Sequence, residues 1–125
     1  MKPLVLSLVL ALATCAARAE VITIQWDARQ RFEATSSVLP GKFVEVCGTL
    51  TPGETVHWSF ESAARLDFNI HYHAGKKVVY PVEPHLAARE EGLLAPPDRQ
   101  DYCWMWTNRG ADASKLVVTL RRTRR

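Results

Sequence analysis

The chain has 125 residues, 16 of them basic and 13 acidic, which gives a formal net charge of +3. This length suits one domain and is short for two, because domains most often contain roughly 100 to 150 residues. Lys2 and Arg18 lie among the first 19 residues, and without them 14 basic residues stand against 13 acidic ones. A charge this balanced gives no reason to expect a nucleic-acid partner.

The first 19 residues have the layout of a secretory signal peptide. Lys2 supplies a positive charge, residues 4–13 are almost all apolar, and Ala17-Arg18-Ala19 has small residues at the cleavage position. The apolar run is shorter than the about 20 residues that a membrane-spanning helix needs. We therefore expect a periplasmic or secreted protein, cleaved after Ala19, with no membrane span after cleavage and one domain over residues 20–125.

Lipid attachment is the alternative for the N-terminal segment. Leu12-Ala13-Thr14-Cys15 resembles the cleavage box of bacterial lipoproteins, in which the cysteine carries the lipid. The residue before that cysteine is usually Gly, Ala or Ser, and this chain has Thr14. A lipid anchor through Cys15 is thus less well supported by the residues than cleavage after Ala19.

The cysteine content predicts a disulfide. Once Cys15 is removed with the signal peptide, Cys47 and Cys103 remain, and an even pair in an oxidising compartment favours a bridge. The bridge would close a loop of about 57 residues and stabilise the fold by roughly 4 kcal/mol in the chain-entropy model. Two free thiols are the alternative.

Alternation of apolar and polar residues dominates the rest of the chain, and helical periodicity is scarce. Such alternation is typical of half-buried antiparallel strands. Turn residues separate the segments, as at Pro40-Gly41, Pro52-Gly53 and Asn108-Arg109-Gly110. We predict strands over residues 21–26, 43–50, 55–61, 66–73, 78–80, 102–107 and 116–120.

This pattern predicts an all-β fold. Seven to eight short strands in about 100 residues, with turns between them, indicate an antiparallel β-sandwich or jelly roll. Residues 81–100 contain four prolines and are expected to be the longest connection, with at most two helical turns over residues 86–94. The arginine-rich residues 121–125 are expected to be a frayed end, or alternatively a segment attracted to anionic lipid or an acidic partner.

Three segments resemble the GOLD domain, the β-sandwich module of the p24 cargo-receptor proteins. They are Gly53-x-x-Val56-x-Trp58-x-Phe60, Leu66-Asp67-Phe68-Asn69-Ile70, and Tyr102-x-x-x-Trp106-x-Asn108. The p24 proteins are similar also in having one cysteine in an early strand and one in the late aromatic strand. The resemblance implies a GOLD-like fold and an interaction module without catalytic residues. Cargo escort through a membrane anchor is not implied, because this chain stops after its last predicted strand.

Histidines suggest a metal site. His71 and His73 lie two residues apart on a predicted strand, so their side chains share its outer face and could bind Cu(II) or Zn(II). If residues 55–61 and 66–73 pair as a hairpin about residues 62–64, His57 faces Asn69 and joins the site, about 7–8 Å from His71. If these strands lie in opposite sheets, His57 does not join the metal site. The alternative is that the histidines are ordinary polar residues of an outer face.

Two further residues are weaker metal candidates. Met105 could favour Cu(I) as a soft ligand if it lies near the histidines, although filling a gap in the sheet is its more usual role. His85 lies in the proline-rich segment. Most aromatic residues are expected in the core, and Trp104 or Trp26 could be exposed and contact a ligand.

The sequence gives no positive sign of an enzyme. It lacks the Gly-x-Ser-x-Gly, His-Glu-x-x-His and Cys-x-x-Cys motifs and any phosphate-binding glycine loop. We therefore expect an exported, non-catalytic binding module for an unidentified protein or small ligand. The alternative is a periplasmic copper- or zinc-binding protein that uses His71, His73 and His57.

Overall fold

The computed structural model describes residues 20–125, so the predicted signal peptide and Cys15 lie outside the described residues. Within this range no helix is long and apolar enough to cross a membrane. The described residues form seven β-strands: β1 (Glu20–Thr23), β2 (Arg31–Val38), β3 (Phe43–Leu50), β4 (Glu54–Ala74), β5 (Lys77–Leu94), β6 (Gln100–Thr107) and β7 (Ser114–Arg124).

One curled sheet contains all seven strands, in the order β1-β3-β6-β4-β7-β2, with β5 paired along β4. The 21-residue strand β4 bends the sheet, because its first part pairs with β7 from Glu54 to Ser62 and its second part with β6 from Asp67 to His71. The first half-sheet thus comprises β1, β3, β6 and the end of β4. The second half-sheet comprises β2, β7 and the beginning of β4.

The two half-sheets close over one aromatic core, which confirms the predicted all-β, sandwich-like fold. Phe60 of the second half-sheet meets Trp106 of the first edge to face, with ring centres 5.4 Å apart. Tyr102, Trp104 and Trp106 alternate along β6 and are fully buried. The suggestion that Trp104 is exposed and contacts a ligand is therefore wrong. A core of large aromatic side chains gives a small domain much of its apolar burial.

Three sequence expectations about the strands are wrong. The sheet is mixed rather than purely antiparallel, because β1 runs parallel to β3. Residues 62–64 do not turn back in a hairpin: β4 continues through them, and Ser62 pairs with Leu116 of β7. Residues 81–94 are strand rather than connection or helix. Pro81 and Pro84 are tolerated there because β5 pairs only with β4, which leaves one edge that needs no N–H donor.

The C-terminal arginines belong to the last strand, which corrects the expectation of a frayed end. β7 continues to Arg124, and the Arg122 guanidinium lies 3.1 Å from a Glu54 carboxylate oxygen, with side-chain exposures of 12 % and 9 %. Burial by itself raises the pKa of Glu54, but hydrogen bonds from Thr51 and the charge of Arg122 hold it below its ordinary value. Arg122 also stacks on Trp26, 4.7 Å from the ring centre, so both residues are engaged within the fold.

The predicted disulfide between Cys47 and Cys103 is confirmed. The two residues are direct partners in the register of β3 and β6, with Cα atoms 4.1 Å apart. Val46 and Trp104, their sequence neighbours, point into the core, so the bridge lies on the outer face of the first half-sheet.

Candidate functional site

A polar cluster lies on the outer face of the first half-sheet, centred on His71. The His71 Nδ1 atom is 2.7 Å from Asn69 Oδ1, and its Nε2 atom is 3.3 Å from Glu45 Oε1. His71 and Asn69 are only 5 % and 7 % exposed. Cys103 is the β6 neighbour of His71, so the disulfide borders the cluster. Burial of these polar groups is unusual for an outer face and requires that they be hydrogen-bonded.

The structure brings some of the predicted metal candidates together. His73 lies beside His71, with ring centres 5.2 Å apart and the ring planes perpendicular, and it is exposed. Met105 is on the same face, as the strand partner of both Asn69 and Glu45. Metal binding at His71 and His73 stays a prediction.

The other two histidines lie elsewhere. His57 pairs with Leu93 and Arg121 in the second half-sheet, so it is not opposite Asn69 and does not join His71. This outcome follows from the continuous β4, which places His57 beyond the bend. His85 is the strand partner of Phe68, and cross-strand partners share a face, so it lies on the opposite side of the sheet from His71.

His85 has its own hydrogen bonds. Its Nδ1 atom donates to the backbone oxygen of Glu83 at 2.7 Å, and its Nε2 atom contacts a Glu90 carboxylate oxygen at 2.6 Å. The bond to Glu83 and then the bond to Glu90 raise the pKa of His85 above its ordinary value. These contacts account for both ring nitrogens of His85 without a metal.

Glu45 is a candidate ligand that the sequence did not indicate. Its carboxylate, His71 and Cys103 each offer one ligand atom, and these atoms all lie within 4.8 Å of one another. Glu45 lies between the buried Val44 and Val46 of β3. Because side chains alternate along a strand, its place on the outer face could have been inferred from the sequence. Its proximity to His71 depends on β6 pairing with both β3 and β4, which no local pattern reveals.

A second candidate surface is the tip of the β4–β5 hairpin, residues 76–80. Lys76 and Lys77 are exposed, and the large apolar side chains of Val78, Val79 and Tyr80 are 41 %, 36 % and 37 % exposed. No acidic residue occurs between His71 and Val82. Exposed apolar side chains clustered in one place mark contact surfaces in soluble proteins. The tip is therefore a basic and apolar surface suited to a protein partner.

The outer face of the second half-sheet carries a shallow groove with charges of both signs. Ser59 and Thr119 are small strand partners on its floor, and Glu91 pairs with Ser59 on the other side. The neighbouring cross-strand row consists of Arg121, His57 and Leu93, of which Leu93 is 64 % exposed. In the same face Arg89 forms an ion pair with Glu61. The groove contains no buried polar group resembling His71.

Comparison with known proteins identifies a fold rather than a family. No protein-family model matches the sequence, and no curated protein matches it. Solved structures match over most of the chain. The PliG protein of Aeromonas hydrophila, a periplasmic lysozyme inhibitor of g-type lysozyme, is 12 % identical with a TM-score of 0.65, and the match covers 86 % of this chain and 100 % of that one.

Two further structures of this kind are similar. PliG of Salmonella Typhimurium is 12 % identical with a TM-score of 0.61, and the match covers 84 % of this chain and 100 % of that one. A mutant of PliG from Escherichia coli is 10 % identical with a TM-score of 0.58, over 85 % of this chain and 100 % of that one. These likenesses show the fold. The resemblance to GOLD domains stays a prediction.

Proposed function

We propose that the protein is an exported, non-catalytic module that binds another protein, and that its partner is a lysozyme of the g type. The observation that carries the proposal is the match over the whole length of three periplasmic inhibitors of g-type lysozyme. The signal-peptide layout of residues 1–19 supports export, and the disulfide suits an oxidising compartment. Because one fold can serve several functions, the partner is tested directly.

We assign partner contact to the hairpin tip. Glycosidases cleave sugars with a pair of carboxyl groups in their active site. Lys76 and Lys77 bring two cations to the tip, and Val78 and Tyr80 add apolar area beside them. Cations facing carboxylates speed association, and apolar and aromatic side chains at the centre of an interface contribute most of the affinity.

The decisive experiment measures lysis of bacterial cell walls by a g-type lysozyme with increasing amounts of the purified protein. A lysozyme of the c type serves as the control enzyme. We expect inhibition of the g-type enzyme near equimolar protein, with a one-to-one complex in calorimetry. Absence of both inhibition and binding at a hundredfold excess would refute the assignment of this partner.

Variants locate the contact surface. Tyr80→Ala and Lys77→Glu should each weaken binding tenfold or more, because each removes one kind of contact from the tip. Leu93→Ala is the matched control, since Leu93 is also exposed and apolar but lies on the second half-sheet. If the lysozyme binds all three variants as tightly as the unchanged protein, the contact lies elsewhere.

A further inference from the structure

The side chains of His71 and Glu45 are spaced like two ligands of one tetrahedral ion. Zinc lies about 2.0–2.1 Å from histidine nitrogen and about 2.0–2.2 Å from carboxylate oxygen, which places two such ligands about 3.3–3.5 Å apart. The distance from His71 Nε2 to Glu45 Oε1 is 3.3 Å. Both side chains are largely buried, with exposures of 6 % and 17 %.

The orientation of His71 favours metal binding through Nε2. The amide oxygen of Asn69 can only accept a hydrogen bond, so the 2.7 Å contact places a proton on His71 Nδ1. In the neutral imidazole Nε2 then carries a lone pair directed toward Glu45. Two acceptor atoms this close need a proton or a cation between them. Metal-binding histidines are commonly held in this way by an oxygen acceptor at the other ring nitrogen.

One sulfur atom borders the same space, and a second sulfur is bonded to it. Cys103 Sγ lies within 4.8 Å of the ligand atoms of His71 and Glu45, and Cys47 is bonded to it. A disulfide sulfur is not a thiolate and leaves the cluster with one nitrogen and one oxygen ligand. Reduction would supply two thiolates on the same face, which completes four ligands of the types that zinc prefers.

We propose that reduction of the Cys47–Cys103 disulfide creates a zinc-class site formed by Cys47, Cys103, His71 and Glu45, and that the disulfide abolishes it. With a phosphine as reductant, phosphorus gives two electrons to the S–S bond and takes an oxygen from water, leaving two thiols. The divalent ion then displaces the two thiol protons. The sulfur atoms separate from a bond of about 2.05 Å to about 3.8 Å on a tetrahedral ion.

The ligands of this site are different residues from those of the proposed lysozyme contact. It uses the outer face of the first half-sheet, whereas the hairpin tip lies beyond His73 in the sequence. It also changes the donor set expected from the sequence. His71 is kept and His57 is excluded by its position, while Glu45 and the cysteine pair take the remaining places.

The test is a titration of the purified protein with Zn(II) against a chromophoric chelator, with and without a phosphine reductant. We expect one equivalent bound in the reduced protein, with at least a hundredfold weaker binding in the oxidised one. Replacing Zn(II) by Co(II) should give a thiolate charge-transfer absorption only after reduction. Circular dichroism of the same samples shows whether the reduced protein keeps its strands.

Variants separate a built site from loose binding by free thiols. His71→Ala and Glu45→Gln should each weaken zinc binding tenfold or more in the reduced protein, whereas His57→Ala should leave it unchanged. The double variant Cys47→Ser/Cys103→Ser mimics reduction without thiolates and should bind no better than the oxidised protein. Equal affinity of the reduced His71→Ala variant and the unchanged protein, or equal affinity of the oxidised and reduced forms, overturns the proposal.

Discussion

The packing of Trp58 requires a glycine at position 92, its strand partner. The pairing of β4 with β5 sets the two residues side by side, and Trp58 is only 6 % exposed. A Cβ atom at position 92 would lie 2.5 Å from Trp58 Cζ2, 2.9 Å from Cε2 and 3.2 Å from Nε1. Non-bonded carbon atoms prefer about 3.5–4.0 Å, so the indole would have to move. The indole packs against the Phe68 ring, with ring centres 5.2 Å apart, and this contact opposes the movement.

We expect Gly92→Ala to destabilise the fold by about 0.5–2 kcal/mol. Overpacking of a core costs about 1–3 kcal/mol, and the alanine recovers about 0.5–1 kcal/mol because glycine loses more backbone entropy in a strand. Trp58→Phe should cost about 1–2 kcal/mol through lost burial. Because phenylalanine removes the ring atoms that clash, the double variant should cost about 1 kcal/mol less than the sum of the single variants.

Urea denaturation of the three variants, followed by tryptophan fluorescence and circular dichroism, gives these free energies. Ala95→Gly serves as the matched control, because it changes the same methyl group at an exposed position next to the end of β5. The reasoning is refuted if Gly92→Ala leaves the free energy of unfolding unchanged. It is refuted also if the two single effects simply add, because an additive result means that the methyl group and the indole do not meet.

Three other changes test the fold. Cys47→Ser/Cys103→Ser should lower the free energy of unfolding by about 4 kcal/mol in urea denaturation, and a loss under 1 kcal/mol would contradict the loop-closure argument. Glu54→Gln should cost about 1–3 kcal/mol at pH 7 by leaving Arg122 without its carboxylate. The pKa of Glu54 is lowered in the folded state, so its contribution to stability is present above the ordinary value of 4.5 and is lost as pH falls through the folded pKa. In thermal unfolding the Glu54→Gln variant should therefore lose less stability between pH 7 and pH 3 than the unchanged protein does. Asn108→Ala should cost about 2–4 kcal/mol by calorimetry, because the Asn108 side chain forms three hydrogen bonds and is buried, and an unchanged melting temperature would show that water replaces them.

Local patterns predicted those strands that alternate strictly and are bounded by turn residues. β3 spans Phe43–Leu50 as expected, because Pro40-Gly41 and Pro52-Gly53 limit it on both sides and Val44 and Val46 alternate with polar residues. β2 was missed because its inward positions include the small residues Ala34 and Ser36, which give little apolar contrast.

The errors in β4 and β5 have separate physical causes. Nothing between Glu61 and Leu66 is a glycine or proline, and this absence of turn residues was the available sign that β4 continues through the bend. The prolines of β5 suggested a loop, but a strand that is paired on one side only can accommodate them. Two of the three register shifts between β4 and β5 lie opposite Pro81 and Pro84, and the third lies opposite residues 87–89.

The candidate metal cluster could be predicted only in part. The shared face of His71 and His73 follows from strand periodicity, and the pairing of Cys47 with Cys103 sets β3 beside β6. The step from β6 to the end of β4 joins residues 32 to 40 positions apart, and it depends on where β4 bends. The burial of His71 follows from that step, because Glu45 and the neighbouring side chains cover it only once the three strands are adjacent.

The disulfide also connects the two candidate sites mechanically. It holds β3 to β6, and β6 pairs with β4 as far as His71, directly before the hairpin that ends in the exposed tip. The Tyr80 ring lies 6.1 Å from the His71 ring, so the base of the tip packs on the polar cluster. A hairpin held at its base loses less conformational entropy when it binds, and this raises its affinity for a partner. We therefore expect the bridge of the oxidised protein to contribute both to stability and to the preorganisation of the tip.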